Sequence, residues 1–212
     1  MVATPPAANI VTIGATVGHP LADETHRLLL SLDSSSLASV LELWPRQGVS
    51  REPAVPRSLP VLSCLPQVAR QAPPFSQSLC GALCAAAATL AWRQTYTLSE
   101  ATPAFLERYG WCELVGPHGA LPSEQLACGW LLLGPDTLYP SHRHEADELY
   151  VPLSGNAQWQ QSDRGWRRQP PGVVIRHASC EPHAMRTDRQ PLLALYLWRG
   201  ANLRLPARLE AS

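Results

Sequence analysis

The stretch SHRHEADELY, Ser141 to Tyr150, determines how the rest of this sequence is interpreted. It contains two histidines, three carboxylates and a tyrosine within ten residues. His142 and His144 are two residues apart, so on a β-strand both side chains point to the same face. Glu148 and Tyr150 are also an even number of residues from the two histidines, so their side chains are expected on the same face. A tight turn between the two pairs need not disturb this alternation. One wall of a β-structure is therefore expected to present two imidazoles, a carboxylate and a phenol to its interior.

Imidazole and carboxylate groups on one face are a ligand set for a divalent metal ion, and zinc, iron, manganese and nickel all accept it. A further ligand is expected from another strand, and His183 is the candidate. The candidate metal ligands are therefore His142, His144, Glu148, Tyr150 and His183. The remaining histidines are interpreted as structural, His177 as a surface or core residue: His19, His26, His118 and His177.

The charge balance of the chain excludes several classes of partner and chemistry. The 212 residues carry 17 basic and 17 acidic side chains, a formal net charge of zero. Nucleic acid and anionic membranes require clustered positive charge, so neither partner is expected. All 17 basic residues are arginine, which excludes lysine Schiff-base chemistry and phosphate loops built on lysine.

Cysteine usage and the N-terminal residues indicate a cytoplasmic protein. The six cysteines form no C-x-x-C pair, and free thiols are typical of a reducing compartment. The first basic residue is Arg27, so the basic segment of a signal peptide is absent. The longest apolar run, Leu79 to Trp92, is too short to span a bilayer. We predict a soluble cytoplasmic monomer or homodimer.

The character of the sequence changes near residue 110. Helical patterns dominate before it, at 23–32, 34–44, 76–94 and 99–110, with a proline-rich connector at 45–60. After it, short runs of β-forming residues alternate with turn residues roughly every eight to twelve residues, which is typical of a sandwich or barrel. We predict a helical N-terminal region, 1–110, packed on a β-barrel, 111–212, that contains the metal site.

The spacing in the opening stretch resembles the first cupin motif. Three residues separate His144 from Glu148, and six separate Glu148 from Gly155, as in that motif. Gly134 occupies the place of the leading glycine of the motif, and the turn between it and His142 is longer than usual. The resemblance implies a fold that is mainly β with a helical N-terminal region, built on a cupin β-barrel (a double-stranded β-helix, or jelly roll).

The second cupin motif is present in a degraded form. Gly172 and His183 have the separation that the motif requires. Its proline, glycine and asparagine are replaced by Ala178, Cys180 and Thr187. The second turn is thus altered while its metal ligand is retained.

A narrower resemblance is to the cupin-type dimethylsulfoniopropionate (DMSP) lyases, especially the DddQ type. These have a tyrosine two residues after the glutamate and a helical region before the barrel. They also have a tyrosine before H-x-H, matched by Tyr139, and a late-strand tryptophan, matched by Trp198. The resemblance implies a carbon–sulfur lyase that cleaves DMSP to dimethyl sulfide and acrylate. It also implies a metal set centred on His144, Glu148, Tyr150 and His183, with His142 either a direct ligand or a residue behind the ligands.

The chemistry of DMSP assigns roles to these residues. A metal bound to the substrate carboxylate would stabilise the charge that develops when the neighbouring carbon loses a proton. Tyr150 beside the metal, with a lowered pKa, is the expected base. Aromatic faces attract the sulfonium cation, so Tyr139 and Trp198 are expected to bind substrate, and Tyr139 is also a catalytic candidate. Tyr196 and Trp159 are further aromatic candidates.

Two other functions would use the same residues. One is an iron cupin dioxygenase acting on a thiol or a small aromatic acid. The other is a non-catalytic cupin that binds a small molecule as a sensor or storage protein, which the degraded second motif favours. Activity without oxygen separates the lyase from the dioxygenase. The N-terminal helices are expected either to form a lid over the site or to cover an open side of the barrel.

Overall fold

The computed structural model describes residues 19–45 and 54–210. Half of the predicted connector at 45–60, residues 46–53, therefore lies outside the described residues, as do residues 1–18 of the first predicted region and 211–212 of the second. Five α-helices lie before the strands: α1 (Pro20–Ser31), α2 (Ala38–Leu41), α3 (Leu65–Gln71), α4 (Pro74–Ala86) and α5 (Pro103–Glu107). Three 3₁₀ turns accompany them, at Ser35–Leu37, Pro60–Cys64 and Ala87–Thr89. None of the described helices is long and apolar enough to cross a membrane.

All four predicted helices differ from the expectation in their bounds. The helix expected at 23–32 is α1, which begins at Pro20, and the helix expected at 34–44 is the 3₁₀ turn Ser35–Leu37 followed by the short α2. The helix expected at 76–94 is α4, which ends at Ala86, and the indole N–H of Trp92 donates to the carbonyl of Ala87 at 3.2 Å. The helix expected at 99–110 is the short α5. Its N-cap is Thr102, whose side chain accepts from the backbone N–H of Phe105. A cap followed by proline at the first helical position starts this helix at Pro103, four residues later than expected.

Ten strands form two five-stranded sheets, which confirms the predicted mainly β cupin fold. The strands are β1 (Tyr109–Val115), β2 (Leu126–Leu133), β3 (Leu138–Arg143), β4 (Asp147–Ser154), β5 (Gln158–Gln161), β6 (Arg167–Arg168), β7 (Ile175–His177), β8 (His183–Arg186), β9 (Leu192–Arg199) and β10 (Arg208–Leu209). The first sheet has the order β1-β2-β9-β4-β7 and the second β10-β3-β8-β5-β6. Every described strand pair is antiparallel.

Helices α1 to α4 cover the outer face of the first sheet, whereas Phe105 of α5 packs in the interior cluster with Tyr109 and Tyr139. Alternate residues of β4 and β9 pack in one apolar cluster with α1, α3 and α4: Leu149, Val151, Leu153, Leu193, Leu195 and Leu197. Their neighbours in sequence face the barrel interior in a second, aromatic cluster. Burial on both faces explains why β9 reads as a continuous apolar run instead of alternating. Helices α1 to α4 thus lie on the opposite side of this sheet from the interior, which favours the covering role over a lid.

Buried polar contacts fasten the helices to β4. The hydroxyl of Ser76 on α4 donates to the carbonyl of Leu153 at 2.6 Å. The hydroxyl of Ser154 donates to the carbonyl of Val68 on α3 at 3.0 Å. Each bond satisfies a buried backbone carbonyl, so the helices and the sheet are joined by directional contacts as well as by apolar packing.

The opening stretch is divided between the two sheets. His142 lies on β3 in the second sheet, whereas Glu148 and Tyr150 lie on β4 in the first. His144 lies in the link between these strands. The expectation that one wall carries all four side chains is therefore wrong. The link crosses from one sheet to the other, and the groups still converge because both sheets face the same interior.

The glycine positions of the two motifs keep their backbone conformation. Gly155 has φ of 92°, and an added Cβ would overlap the carbonyl oxygen of Pro191. Cys180, which replaces the second-motif glycine, still has φ of 59°. Its backbone N–H donates to the carbonyl of His144 at 2.8 Å. The second turn has thus lost its glycine but not its left-handed geometry.

Gly155→Ala is expected to lower the free energy of unfolding by at least about 2 kcal/mol, measured by urea denaturation. Left-handed strain of about 1–2 kcal/mol is joined by the overlap with Pro191. Gly165→Ala is the control, because nothing lies within 4 Å of an added Cβ there. Equal losses in the two variants would contradict the prediction.

Cys180→Gly is expected to raise the free energy of unfolding by about 1 kcal/mol, because it relieves the left-handed strain at this position. Cys180→Ala retains a Cβ and should give no such gain. The same denaturation experiment compares the two, and a gain with alanine equal to that with glycine would show that strain is not the cause.

Candidate metal centre

Three buried side chains from separate segments meet inside the barrel. Glu148 comes from β4, His183 from β8 and His144 from the link between β3 and β4. One potential ligand atom from each lies within 4.8 Å of the other two. The His144 Nε2 atom is 2.9 Å from Glu148 Oε2, and the His183 Nε2 atom is 3.2 Å from the same oxygen. This cluster contains three of the five predicted metal ligands.

The two imidazoles are held in one orientation by backbone carbonyls. His144 Nδ1 lies 3.0 Å from the carbonyl oxygen of Ala146, and His183 Nδ1 lies 2.9 Å from that of Glu181. Since a carbonyl only accepts, each Nδ1 carries the proton, and the other nitrogen is left as a potential ligand. This arrangement is usual for histidines that bind metals.

The donor set fits a divalent cation. In a neutral imidazole protonated at Nδ1, the Nε2 atom carries a lone pair. The Nε2 atoms of His144 and His183 both face the same oxygen of Glu148. These groups repel one another unless positive charge lies between them, either a proton shared by His144 and Glu148 or a bound cation. The Nε2 atom of His183 is buried without a hydrogen-bond partner, because its approach to Glu148 is poorly aligned. Two imidazole nitrogens and a carboxylate could therefore hold a metal ion.

The electrostatics of the cluster keep Glu148 ionised. Burial raises the pKa of its carboxyl, but the charge and hydrogen bond of His144 outweigh this, so the pKa falls well below its usual value. Burial lowers the pKa of His144, yet Glu148 raises it above its ordinary value overall. The carboxylate thus carries a full negative charge in a site that excludes water.

The two other predicted ligands lie beside the cluster. The ring of His142 is 4.1 Å from that of His183, and its Nδ1 lies 2.9 Å from the carbonyl of Pro140. Burial, and then the neighbouring His183, lower the pKa of His142 well below its ordinary value. The Tyr150 ring centroid is 6.4 Å from that of His183.

The phenol of Tyr150 is buried next to a negative charge. Burial and then the charge of Glu148 raise the pKa of this hydroxyl well above its ordinary value. The protein side chains alone therefore do not give Tyr150 the lowered pKa expected from the sequence. A cation beside the hydroxyl would be needed to lower it.

Tyr139 and Trp198 also contact the cluster. Tyr139 stacks on His142 with 3.9 Å between ring centroids, and its hydroxyl is 3.0 Å from that of Tyr96. The indole N–H of Trp198 donates to Glu148 Oε1 at 2.6 Å, and its ring lies 4.2 Å from that of His144. Trp198 therefore orients two of the clustered groups.

A cavity of about 270 Å³ opens beside these side chains. This is close to the lower end of small-ligand pockets, about 300 Å³. Five of the predicted site residues line it: Tyr139, His142, Glu148, Tyr150 and Trp198. Trp111, Tyr196 and Tyr109 add aromatic surface to the wall. The cavity suits a small molecule with an apolar or cationic end.

Besides Trp111 and Tyr109, two further residues beside the cluster were not predicted as site residues. Tyr96 holds the hydroxyl of Tyr139 from a segment before the barrel. His177, interpreted above as structural, is fully buried, and its ring stacks on that of His183. Burial, and then the neighbouring His183, lower the pKa of His177 to about 3. Only the pairing of β7 with β4 places this ring in the site, and local spacing carries no signal of it.

Comparisons with known proteins identify the family to which the chain is similar. A family model for dimethylsulfoniopropionate lyases matches residues 36–194. The chain is 38% identical over 119 residues to the dimethylsulfoniopropionate lyase DddQ of Ruegeria pomeroyi. That match covers 56% of this chain and 59% of the relative, so the chain spans about six tenths of the length of this curated protein.

Two solved structures resemble almost the whole chain. The crystal structure of DMSP lyase DddQ from Ruegeria pomeroyi has a TM-score of 0.81 and 29% identity, covering 90% of this chain and 94% of that one. A chain from the crystal structures of the DMSP lyases RdDddP and RnDddQII has a TM-score of 0.80 and 32% identity, covering 90% of this chain and 96% of that one.

Zinc or cobalt is expected to raise the melting temperature of the wild-type protein, and Glu148→Gln is expected to abolish the rise, because it removes the negative charge from the ligand set. Metal at one hundred times its Kd should stabilise the fold by about 2.7 kcal/mol. Differential scanning fluorimetry measures the shift. Glu124→Gln, at an exposed ion pair with Arg204, is the control and should retain it. A wild-type protein that shows no shift would contradict the prediction.

Proposed function

The chain belongs to the dimethylsulfoniopropionate lyase family, and on that premise we propose that it cleaves DMSP to dimethyl sulfide and acrylate. The proposed reaction is a β-elimination supported by a divalent metal ion at His144, Glu148 and His183. The observation that carries the proposal is that Glu148 and Tyr150, two residues apart on β4, both line one small cavity beside the buried imidazoles. A candidate metal ligand and a potential base would thus face the same substrate in this cavity.

Tyr150 is the proposed base. Its buried hydroxyl has a raised pKa, so it needs a nearby positive charge to lose its proton. A divalent ion, when bound, would supply that charge and would also stabilise the negative charge that develops on the substrate carboxylate. The aromatic packing around Tyr150, with Trp159 at 4.9 Å between centroids, holds the phenol in one orientation.

The proposed elimination breaks one C–H bond and one C–S bond and forms one carbon–carbon π bond. The phenolate oxygen of Tyr150 takes the proton from the carbon next to the carboxylate. The electron pair of that C–H bond becomes the new carbon–carbon π bond, and the pair of the C–S bond leaves with sulfur as neutral dimethyl sulfide. Acrylate remains, and the proton on Tyr150 passes to solvent before the next turnover.

The aromatic wall is the proposed binding surface for the sulfonium. A sulfonium has no hydrogen-bond donor, and aromatic faces attract such a cation. Tyr139 and Trp198 line the cavity. The hydrogen bond from Trp198 to Glu148 supports a second role, in which the same indole orients a metal ligand. We propose that His142 does not bind the metal itself but packs against the ring of His183 and orients it.

We propose a cytoplasmic enzyme, monomeric or homodimeric, with zinc, iron, manganese or nickel as the metal. The absence of disulfides supports the compartment, since all six cysteines are free thiols. Imidazole and carboxylate ligands are compatible with each of these ions, and availability in the cell decides among them.

Tyr150→Phe is expected to lower kcat at least a hundredfold, because it removes the base while keeping the ring. Tyr139→Phe is the matched variant. It retains the ring stacked on His142 and should lose less than about tenfold. The measurement is headspace dimethyl sulfide released from DMSP by metal-loaded protein under anaerobic conditions.

Metal content is determined for each variant, so that loss of the base is separated from loss of the ion. Full activity of metal-loaded Tyr150→Phe would eliminate Tyr150 as the base. Activity that requires oxygen would favour the dioxygenase. A metal-loaded wild type that releases no dimethyl sulfide would overturn the proposed function.

A further inference from the structure

His177 occupies a position directly beside the candidate metal centre. It is the last residue of β7, and its backbone pairs with Glu148 on β4. Its side chain therefore lies on the same face as Glu148, inside the barrel, where it is fully buried. Trp198 pairs with Glu148 from the other side, on β9. Glu148 is thus the centre of a row of three side chains across three strands.

The ring of His177 stacks on the ring of His183. Their centroids are 4.0 Å apart and their planes differ by 14°. Trp159 lies on a nearly parallel plane to His177, at 6.3 Å and 23°. On its other side His183 meets the edge of His142 at 4.1 Å. The imidazole of His183 is therefore enclosed by rings, and it cannot turn without moving them.

A hydrogen bond fixes His177 in turn and links the two sheets. The side-chain amide of Gln161 donates to His177 Nδ1 at 3.4 Å and to the carbonyl of Arg176 at 2.6 Å. Gln161 lies on β5 and pairs with His183 on β8. His177 thus connects the first sheet to the two strands of the second sheet that carry Gln161 and His183.

We propose that His177 is a positioning residue for the metal centre: its ring holds the imidazole of His183 in the orientation that presents Nε2 beside Glu148. The backbone carbonyl of Glu181 fixes one end of the His183 ring, and the flat contact with His177 fixes its plane. This inference rests on the metal site of the proposed function, but its test requires no lyase activity.

The experiment compares His177→Leu with His177→Phe. Leucine fills a similar volume without a flat face, whereas phenylalanine keeps the face and loses only the bond to Gln161. Cobalt and zinc are titrated against a competing chromophoric chelator, and the visible spectrum of the cobalt protein reports the ligand geometry. His177→Leu is expected to weaken metal binding about 10–100-fold and to change the cobalt spectrum. His177→Phe should stay within about threefold of the wild type in affinity.

Val151→Ala controls for a general loss of stability. Val151 is fully buried on β4 but packs on the outer cluster with the helices. The Val151→Ala substitution should lower the melting temperature of the metal-free protein and leave the metal Kd unchanged. Wild-type affinity and spectrum in both His177 variants, or an equal loss in both, would overturn the inference. A wild-type protein that binds neither cobalt nor zinc would overturn the metal site itself.

Discussion

The buried carboxylate of Glu148 is the group around which the rest of the barrel interior is arranged. An ion removed from water costs several kcal/mol unless charge and hydrogen bonds compensate it. Here the compensation comes from His144, His183 and the indole N–H of Trp198. These three groups lie on the β3–β4 link, β8 and β9, so a single charge requires three distant segments to meet. The same requirement leaves a carboxylate and imidazole nitrogens facing one another at a distance that suits a cation.

Burial inside the barrel determines how readily the hydroxyl of Tyr150 ionises. Burial and the charge of Glu148 both oppose ionisation of Tyr150. A phenol that is inert in the protein alone becomes a base only when positive charge is added beside it. The aromatic wall surrounds the same space with apolar surface, and electrostatic coupling is stronger in such surroundings. In the proposed reaction, binding of the ion and activation of Tyr150 as the base would therefore be two results of one arrangement.

Local sequence signals predicted the parts of the site that depend on short spacing. The parity of His142, His144, Glu148 and Tyr150 placed them toward one interior, and the second-motif spacing identified His183. The division of the stretch between two sheets was missed, because parity does not show where a chain crosses from one sheet to the other. His177 was missed for a related reason.

The position of His177 follows from the pairing of β7 with β4, which brings together residues 29 positions apart in the chain. The helical region and the β-rich region were also predicted from local patterns. The bounds of α4 and α5 were not, since the buried indole of Trp92 and the Thr102 cap set them.

The two-sided burial of the first sheet has a consequence for how the molecule folds. Among the described residues, the outward leucines of β4 and β9 and the apolar side chains of α1, α3 and α4 pack in one shared cluster. Neither part can be removed without exposing the other's core to water, which would promote aggregation. Helices and barrel should therefore gain and lose their structure in one cooperative transition. The metal site inherits this cooperativity, because β4 carries Glu148 on one face and the helix contacts on the other.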